Sequence, residues 1–246
     1  MNDAARLAGL GRRAGLKQPI SWVAESASTN ADLRAMAEAG APHGTALFAH
    51  HQTAGRGRMG RAWQAPPGQN LTLSVLLRPK LSPSDLPRLV LAAGVATAHV
   101  CGGGCVLKWP NDLLSADGRK VAGLLAGAEF EGSRLEYVVM GVGINVAWAP
   151  PELPATSLSE LGVDVDPVEL AVGWVGAMLE QAIRAENDPA GVLADYRRLD
   201  GTAGRRIRVG DVSGVASGID DDGALRVRLD DGTQHRILAG DVQMVG

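Results

Sequence analysis

Lysine is scarce in this sequence: Lys17, Lys80, Lys108 and Lys120 are the four among 24 basic residues, and the rest are arginine. Cysteine is scarcer still. Cys101 and Cys105 are too few for a disulfide framework. No uninterrupted apolar run reaches the length of a bilayer-spanning helix, which excludes an integral membrane protein. The opening Met-Asn-Asp-Ala-Ala-Arg lacks the apolar stretch of a signal peptide, so a cytoplasmic location is expected. Positive charge does not dominate. The formal net charge is −3, which argues against a surface that grips nucleic acid throughout. Aromatic residues are also few: five Trp, two Tyr and two Phe. That makes an RNA-binding module built on base stacking a poor reading.

Several kinds of reactive centre are missing too. His43, His50, His51, His99 and His235 make no zinc-ligand pattern with the two cysteines. There is no G-x-S-x-G elbow and no G-x-x-x-x-G-K-[ST] loop. What remains is arginine, lysine, glycine and side-chain amide. That set suits phosphate positioning and charge stabilisation rather than covalent catalysis.

With 246 residues, 46% of them hydrophobic, the chain is long enough for one or two domains with a sizeable core. Residues 1–20 read as an extension with one short helix. Ala31 to Ala39 reads as a helix ended by Gly40, with Thr29 and Asp32 at capping-box spacing. Leu71-Thr-Leu-Ser-Val75 alternates as a half-buried strand does. Ser84 to His99 reads as a helix, and Val106 to Trp109 as a short strand. Val121–Glu129 and Tyr137–Val146 read as a hairpin. Asp166-Pro167 opens a helix with Asp at the N-cap, Pro at N1 and Glu169 at N3. Its expected buried stripe is Val168, Val172, Val175, Leu179 and Ile183. A second helix runs from about Pro189 to Leu199. After Gly201, short alternating segments divided by Gly-Asp turns predict a small five-stranded barrel. The expected domains are therefore 1–200 and 201–246.

Four segments carry candidate chemistry. Gly55-Arg-Gly-Arg-Met-Gly-Arg61 contains the dinucleotide-fingerprint spacing of glycines, but Pro66 and Pro67 forbid the helix that the fingerprint requires. A glycine-interleaved arginine loop can instead wrap a ligand and bind phosphate oxygens in pairs. It also reads as a flexible solvated loop. Lys108-Trp-Pro-Asn-Asp112 gathers a lysine, an amide and a carboxylate at a strand end, or forms a turn with a surface ion pair. Arg119-Lys-Val-Ala-Gly123 opens a strand with a basic residue. Gly141-Val-Gly143-Ile-Asn145 is a strand interrupted by two glycines, which marks a bulge or a ligand lying close to the backbone. Ser28-Thr29-Asn30 reads locally as a helix cap.

Taken in order, these segments resemble the biotin protein ligases. The resemblance runs from about residue 22 to the C-terminus. It is carried by Ser28-Thr29-Asn30, Gln52-Thr-Ala-Gly-Arg-Gly-Arg-Met-Gly-Arg-Ala-Trp63, Lys108-Trp-Pro-Asn-Asp112, Arg119-Lys-Val-Ala-Gly123 and Gly141-Val-Gly-Ile-Asn145. It implies an α+β fold: a mixed sheet packed with helices, of the class II synthetase and biotinyl/lipoyl ligase type, and a small SH3-like C-terminal β-barrel. It also implies a two-step reaction. Biotin and ATP give biotinyl-5′-AMP, and the biotinyl group then passes to a lysine of a biotin carboxyl carrier protein domain. Lipoate–protein ligation is the alternative within the superfamily.

Carried onto this chain, Ser28, Thr29, Asn30 and Gln52 would line the ureido end of biotin. Arg56, Gly57 and Arg58 would close over the carboxylate and the adenylate phosphate, with Arg61 also on the nucleotide. Trp63 would cover the loop and stack near the ligand. Lys120 would hold the reacting oxygens. Gly141 and Gly143 would let the strand approach biotin, and Asn145 would contact adenine. Lys108, Asn111 and Asp112 would serve the phosphates, Mg²⁺ or the incoming lysine. Mg²⁺ would be held mostly through ATP phosphates, with Asp112 as the protein contact, so no dedicated metal site is expected. Two positions depart from the family pattern: Met59, where another basic residue is common, and Val245, where an arginine often reaches the nucleotide. The motifs begin at Ser28, which leaves no room for the winged helix-turn-helix DNA-binding domain of some relatives. The expected assembly is a monomer or homodimer. The Gly55–Arg61 loop is expected to be mobile until a ligand orders it.

Overall fold

Strands made almost wholly of Leu, Val and Ala need cover on both faces, and this chain supplies it from five helices. The computed structural model describes residues 3–102 and 104–245. In chain order the elements are α1 (Asp3–Arg13), β1 (Ile20–Ser26), α2 (Thr29–Glu38), β2 (Ala46–Gln52), β3 (Leu71–Leu77), α3 (Leu86–Cys101), β4 (Val106–Lys108), β5 (Asp112–Leu114), β6 (Lys120–Glu131), β7 (Arg134–Ile144), α4 (Pro167–Asn187) and α5 (Pro189–Leu199). The C-terminal strands are β8 (Arg206–Val209), β9 (Val212–Ile219), β10 (Leu225–Arg228), β11 (Gln234–Ile237) and β12 (Gln243–Met244).

The first seven strands form one mixed sheet in the order β1-β2-β3-β7-β6-β5-β4. β1 and β2 are parallel and joined through α2, as a crossover connection requires. The other neighbouring pairs are antiparallel. Leu71, Leu73, Val75 and Leu77 of β3 join the main core with residues of α3 and α4, such as Leu91, Val95, Trp174 and Met178. On the opposite face Leu76, Leu47, Tyr137 and Val139 pack with Leu33 and Ala37 of α2. α2 covers only part of that face. The remainder holds the site.

The C-terminal sheet is antiparallel, in the order β11-β10-β9-β8-β12. Its inward row is Ile207, Val209, Leu225 and Val227, alternating with outward arginines. Among the described residues no pairing joins β11 to β12, so the strand ladder does not close into the expected barrel.

Several local expectations need correction. β3 is buried along its whole length rather than half-buried, because its polar face lies against α2 and the site. The Thr29–Asp32 capping box does not form. Ser28 is the N-cap of α2 and makes no side-chain cap bond, while Asp32 accepts from the Ser26 hydroxyl at 2.6 Å. Ile183 is 57% exposed and does not belong to the α4 stripe, where Trp174, Met178, Ala182 and Ala185 are buried instead. The three-residue strand β5 follows directly on the Lys108–Asp112 turn, where only the turn was expected. In the glycine run between the cysteines, Gly103 lies outside the described residues.

The start of α4 follows the expectation. Asp166 accepts from the backbone N–H of Val168 and Glu169, with Pro167 at the first helical position.

Candidate active site

The site begins where two parallel strands end. Register pairs Ser26 of β1 with Gln52 of β2, so Gln52 lands beside the first turn of α2. Gln52 Oε1 accepts from the Thr29 backbone N–H at 2.7 Å. A ligand-facing helix start left free of its own cap is thereby satisfied by a side chain from the next strand. Asn30 reaches across the sheet. Its Nδ2 donates to the Leu125 carbonyl on β6 at 3.0 Å, and its Oδ1 accepts from the Ser74 hydroxyl on β3. Between these strands lies Gly141 of β7, in register with both Ser74 and Leu125. A Cβ at position 141 would sit 2.1 Å from Asn30 Oδ1. Gly141 therefore makes room for the Asn30 amide in this state.

One register step along, Gly123 of β6 faces Gly143 of β7. The indole of Trp63 lies on both. A Cβ at 143 would come within 2.2 Å of its ring, and one at 123 within 3.2 Å. Trp63 Nε1 is buried without a partner. Lys120 stands beside the indole, its Nζ 5.7 Å from the ring centroid and its side chain also over Gly123. The floor thus runs from the Asn30 cluster, under Trp63, to Lys120.

Beyond Trp63 opens a pocket of about 370 Å³ lined by Arg58, Arg61, Lys108, Asn111, Asp112, Lys120 and Asn145, among others. Lys120 Nζ donates to Asp112 Oδ1 at 2.6 Å, and Lys108 Nζ lies 3.8 Å from Asp112 Oδ2. One carboxylate therefore orients two ammonium groups into the pocket. Arg58 donates to Asn111 Oδ1 at 2.9 Å, which ties the glycine-arginine loop to the turn after β4. Asn145 is 2% exposed. Its Nδ2 donates to the carbonyls of Lys120 and Thr156, so the remaining Oδ1 is a buried acceptor without a partner among the described residues. The far wall is apolar: Pro150, Leu153, Pro154 and Ala155, with Met244 arriving from β12.

The loop itself closes as a small hairpin. Arg56 bridges Ala62, and Gly57 N–H donates to the Arg61 carbonyl at 2.7 Å. Met59 at its tip is 79% exposed with a left-handed φ of 55°. Arg61 is paired with Asp241 of the C-terminal sheet at 3.0 Å.

The structure brings Gly57, Arg58, Arg61, Trp63, Lys108, Asn111, Asp112, Lys120 and Asn145 to one pocket. It gathers Thr29, Asn30, Gln52 and Gly141 in a second cluster on the same face of the sheet, with Gly143 under Trp63 between the two. Ser28 and Arg56 stand beside these groups with no side-chain bond of their own among the described residues. Sequence reasoning missed Ser74, Thr156 and Met244. Only Ser74 carried a signal, as a polar residue at alternate spacing in an apolar strand. It also placed the C-terminal question at Val245, whereas Met244 is the residue that reaches the pocket.

Among the described residues, no helix is long and apolar enough to cross a membrane. Residues 23–145 match the Biotin/lipoate A/B protein ligase family, and residues 202–245 match the Biotin protein ligase C terminal domain. Fold and site define a ligase of that type, and the chain belongs to the Biotin/lipoate A/B protein ligase family. Within it the similar proteins are biotin ligases. The chain is 41% identical to the biotin–[acetyl-CoA-carboxylase] ligase of Mycobacterium tuberculosis, over 95% of this chain and 91% of that protein. It is 32% identical to the bifunctional ligase/repressor BirA of Bacillus subtilis, over 88% of this chain and 71% of that protein. Among solved structures, the biotin protein ligase of Aquifex aeolicus in complex with biotin and ATP superposes with a TM-score of 0.77 at 27% identity, covering 92% of this chain and 98% of that one.

Proposed function

We propose that this chain is an ATP-dependent biotin–[acetyl-CoA-carboxylase] ligase. It makes biotinyl-5′-AMP and passes biotin to a lysine of a biotin carboxyl carrier domain. One observation carries the reading: a neutral hydrogen-bonding cluster at Thr29, Asn30 and Gln52 and the cationic pocket at Lys120 lie on one face of the sheet, with the glycine floor of Gly141 and Gly143 between them and the Trp63 indole resting on it. With the indole moved aside, that floor fits a long substrate with an uncharged polar head and an anionic tail. The neutral head needs matched donors and acceptors, because unmatched ones are costly once buried.

At the cationic end the biotin carboxylate attacks the α-phosphorus of ATP. An oxygen–phosphorus bond forms, the α–β phosphoanhydride breaks, and pyrophosphate leaves. Lys120 and Arg58 neutralise the oxygens that gain charge, held in place by Asp112 and Asn111. The carrier lysine, as a free amine, then attacks the acyl carbon. An amide forms, AMP departs as leaving group, and the amine loses a proton. Asn145 presents its free Oδ1 to an exocyclic amine, which suits adenine. The apolar wall with Met244 packs the base. Ser28 adds a free hydroxyl to the biotin head, and Arg56 a free guanidinium to the tail.

The donor set fits Mg²⁺ carried by the nucleotide. Asp112 is the pocket's one carboxylate, and among the described residues no group of three or more His, Cys, Asp or Glu surrounds it. The ion would neutralise the phosphates of ATP, with Asp112 the residue within reach. Residues 1–200 then act as the catalytic domain and 201–246 as a smaller C-terminal domain that closes the nucleotide end.

The test is incubation with biotin, Mg-ATP and a biotin carboxyl carrier domain, followed by mass measurement of the carrier. The expected result is a gain of one biotinyl group. Pyrophosphate release stimulated by lipoate and not by biotin would instead assign the lipoate reaction.

A further inference from the structure

A fully buried hydroxyl in β3 has no place in the chemistry above, yet it is the hub of the polar cluster. Ser74 is 0% exposed and Thr29 is 3% exposed. Ser74 Oγ lies 2.7 Å from Thr29 Oγ1 and 2.5 Å from Asn30 Oδ1. Each hydroxyl has one proton, so the directions can be worked out.

The Leu125 carbonyl can only accept, so the Asn30 amide must turn Nδ2 toward it. That leaves Oδ1 facing Ser74, and Ser74 must spend its proton there. Ser74 can then only accept from Thr29, so the Thr29 proton points into the sheet. On the other side, the Thr29 backbone N–H needs an acceptor, which turns Gln52 Oε1 toward it. Thr29 Oγ1 lies 3.1 Å from Gln52 Oε1, within donating distance, but its one proton is already spent on Ser74. A buried and a half-buried acceptor at this distance repel, and an external N–H directed at them relieves the repulsion.

We infer that Ser74 is a positioning residue: by taking the Thr29 proton it turns the head of the site into a pair of acceptors that demands an N–H donor from the ligand. This rests on the biotin reading, where the cyclic urea supplies such N–H groups. Gln52 Nε2, turned outward, supplies the complementary donor for a urea carbonyl. A dithiolane or plain alkyl head has no N–H to offer, so Ser74 sets selectivity for ureas. Without Ser74 the Thr29 proton swings onto Gln52 Oε1 and fills the acceptor pair, while Asn30 Oδ1 loses its donor.

The test is calorimetric titration of the full chain and of Ser74→Ala with biotin, desthiobiotin, lipoate and ATP. Ser74→Ala is expected to weaken biotin and desthiobiotin alike by about tenfold, the scale of one buried hydrogen bond. ATP and lipoate affinities should stay within about twofold. Ser74→Thr keeps a hydroxyl and should recover most of the loss. Equal biotin affinity in Ser74→Ala and the parent overturns the inference while the proposed function stands. So does a loss shared by biotin, lipoate and ATP, which would mark a merely structural role. A parent chain that binds no biotin overturns the proposed function, and this inference with it.

Discussion

Lys120 shows how much one side chain is asked to do. It opens β6, its Nζ bonds Asp112, and its carbonyl holds the Asn145 amide. The ammonium and the backbone of one residue thus serve the phosphate end and the base end together. Lys120→Ala leaves the backbone carbonyl in place and removes the ammonium with its stem. Adenylate formation, followed as single-turnover pyrophosphate release, should fall by about a hundredfold or more, the usual cost of losing one group that stabilises developing charge. A fall under tenfold would mean that Lys108 or Arg58 carries the charge instead. The cysteines are the counter-case. Burial pushes both thiols up, Cys101 more strongly, which leaves them poor nucleophiles. Scarce residue types therefore differ in meaning: lysine persists here where a compact cation is needed, and cysteine where a small apolar side chain packs.

At the scale of elements, α2 and α4 start in opposite ways. α4 caps itself. Burial raises the Asp166 carboxyl, but the hydrogen bond from Arg6 and the backbone N–H of Glu169 and Val168 outweigh it and hold it below the ordinary range. Because Arg6 belongs to α1, the same carboxylate fastens the N-terminal helix to α4. Asp166→Ala should cost about 1 kcal/mol in urea unfolding at pH 7. A carboxylate lowered in the folded state stabilises above its unfolded value and loses that effect as pH falls through its folded one. The gap between parent and variant should therefore shrink below about pH 4. A gap unchanged at pH 3 would show that the carboxylate charge contributes nothing. α2, by contrast, has no side-chain cap, and its first turn is completed by Gln52 from a neighbouring strand. Sequence reads Thr29 as a cap because capping is local. It cannot see that β2 brings an amide to the same place.

At the scale of the molecule, the question is how the C-terminal sheet is held against the pocket. Surface links come from Arg88 and Arg197, which both reach Asp221, and from Arg61; a buried link comes from Trp109. Arg61–Asp241 is an exposed ion pair, worth about 1 kcal/mol at most. Trp109 is 2% exposed, and its Nε1 donates to the Gly223 carbonyl at 2.9 Å while its N–H donates to Thr202 Oγ1 at 2.8 Å. The buried link should dominate, because an unpaired carbonyl left in the interface costs more than a solvated charge. Trp109→Phe keeps the apolar contact and removes the Nε1 donor. Amide exchange in β8–β12 should then accelerate by about fivefold to tenfold, the scale of about 1 kcal/mol, with β1–β7 unchanged. Equal exchange in both sheets would assign the anchoring elsewhere.

Much of this was legible in the chain. The motifs and their order identified the family and most of the pocket's charged and polar residues. The Asp-Pro start of α4, the glycines of β7 and the basic start of β6 are local signals with local causes. They depend on capping, steric room and strand alternation, which operate within a few residues. Only the tertiary structure decided what lies opposite each of them. It buried the polar face of β3 and made Ser74 a hub, gave the room over Gly143 to Trp63, and brought Met244 rather than Val245 to the pocket. It also left the C-terminal strand ladder open between β11 and β12 among the described residues. Each of those outcomes depends on contacts between residues far apart in the chain, set by register and packing, and neither is written in any local spacing.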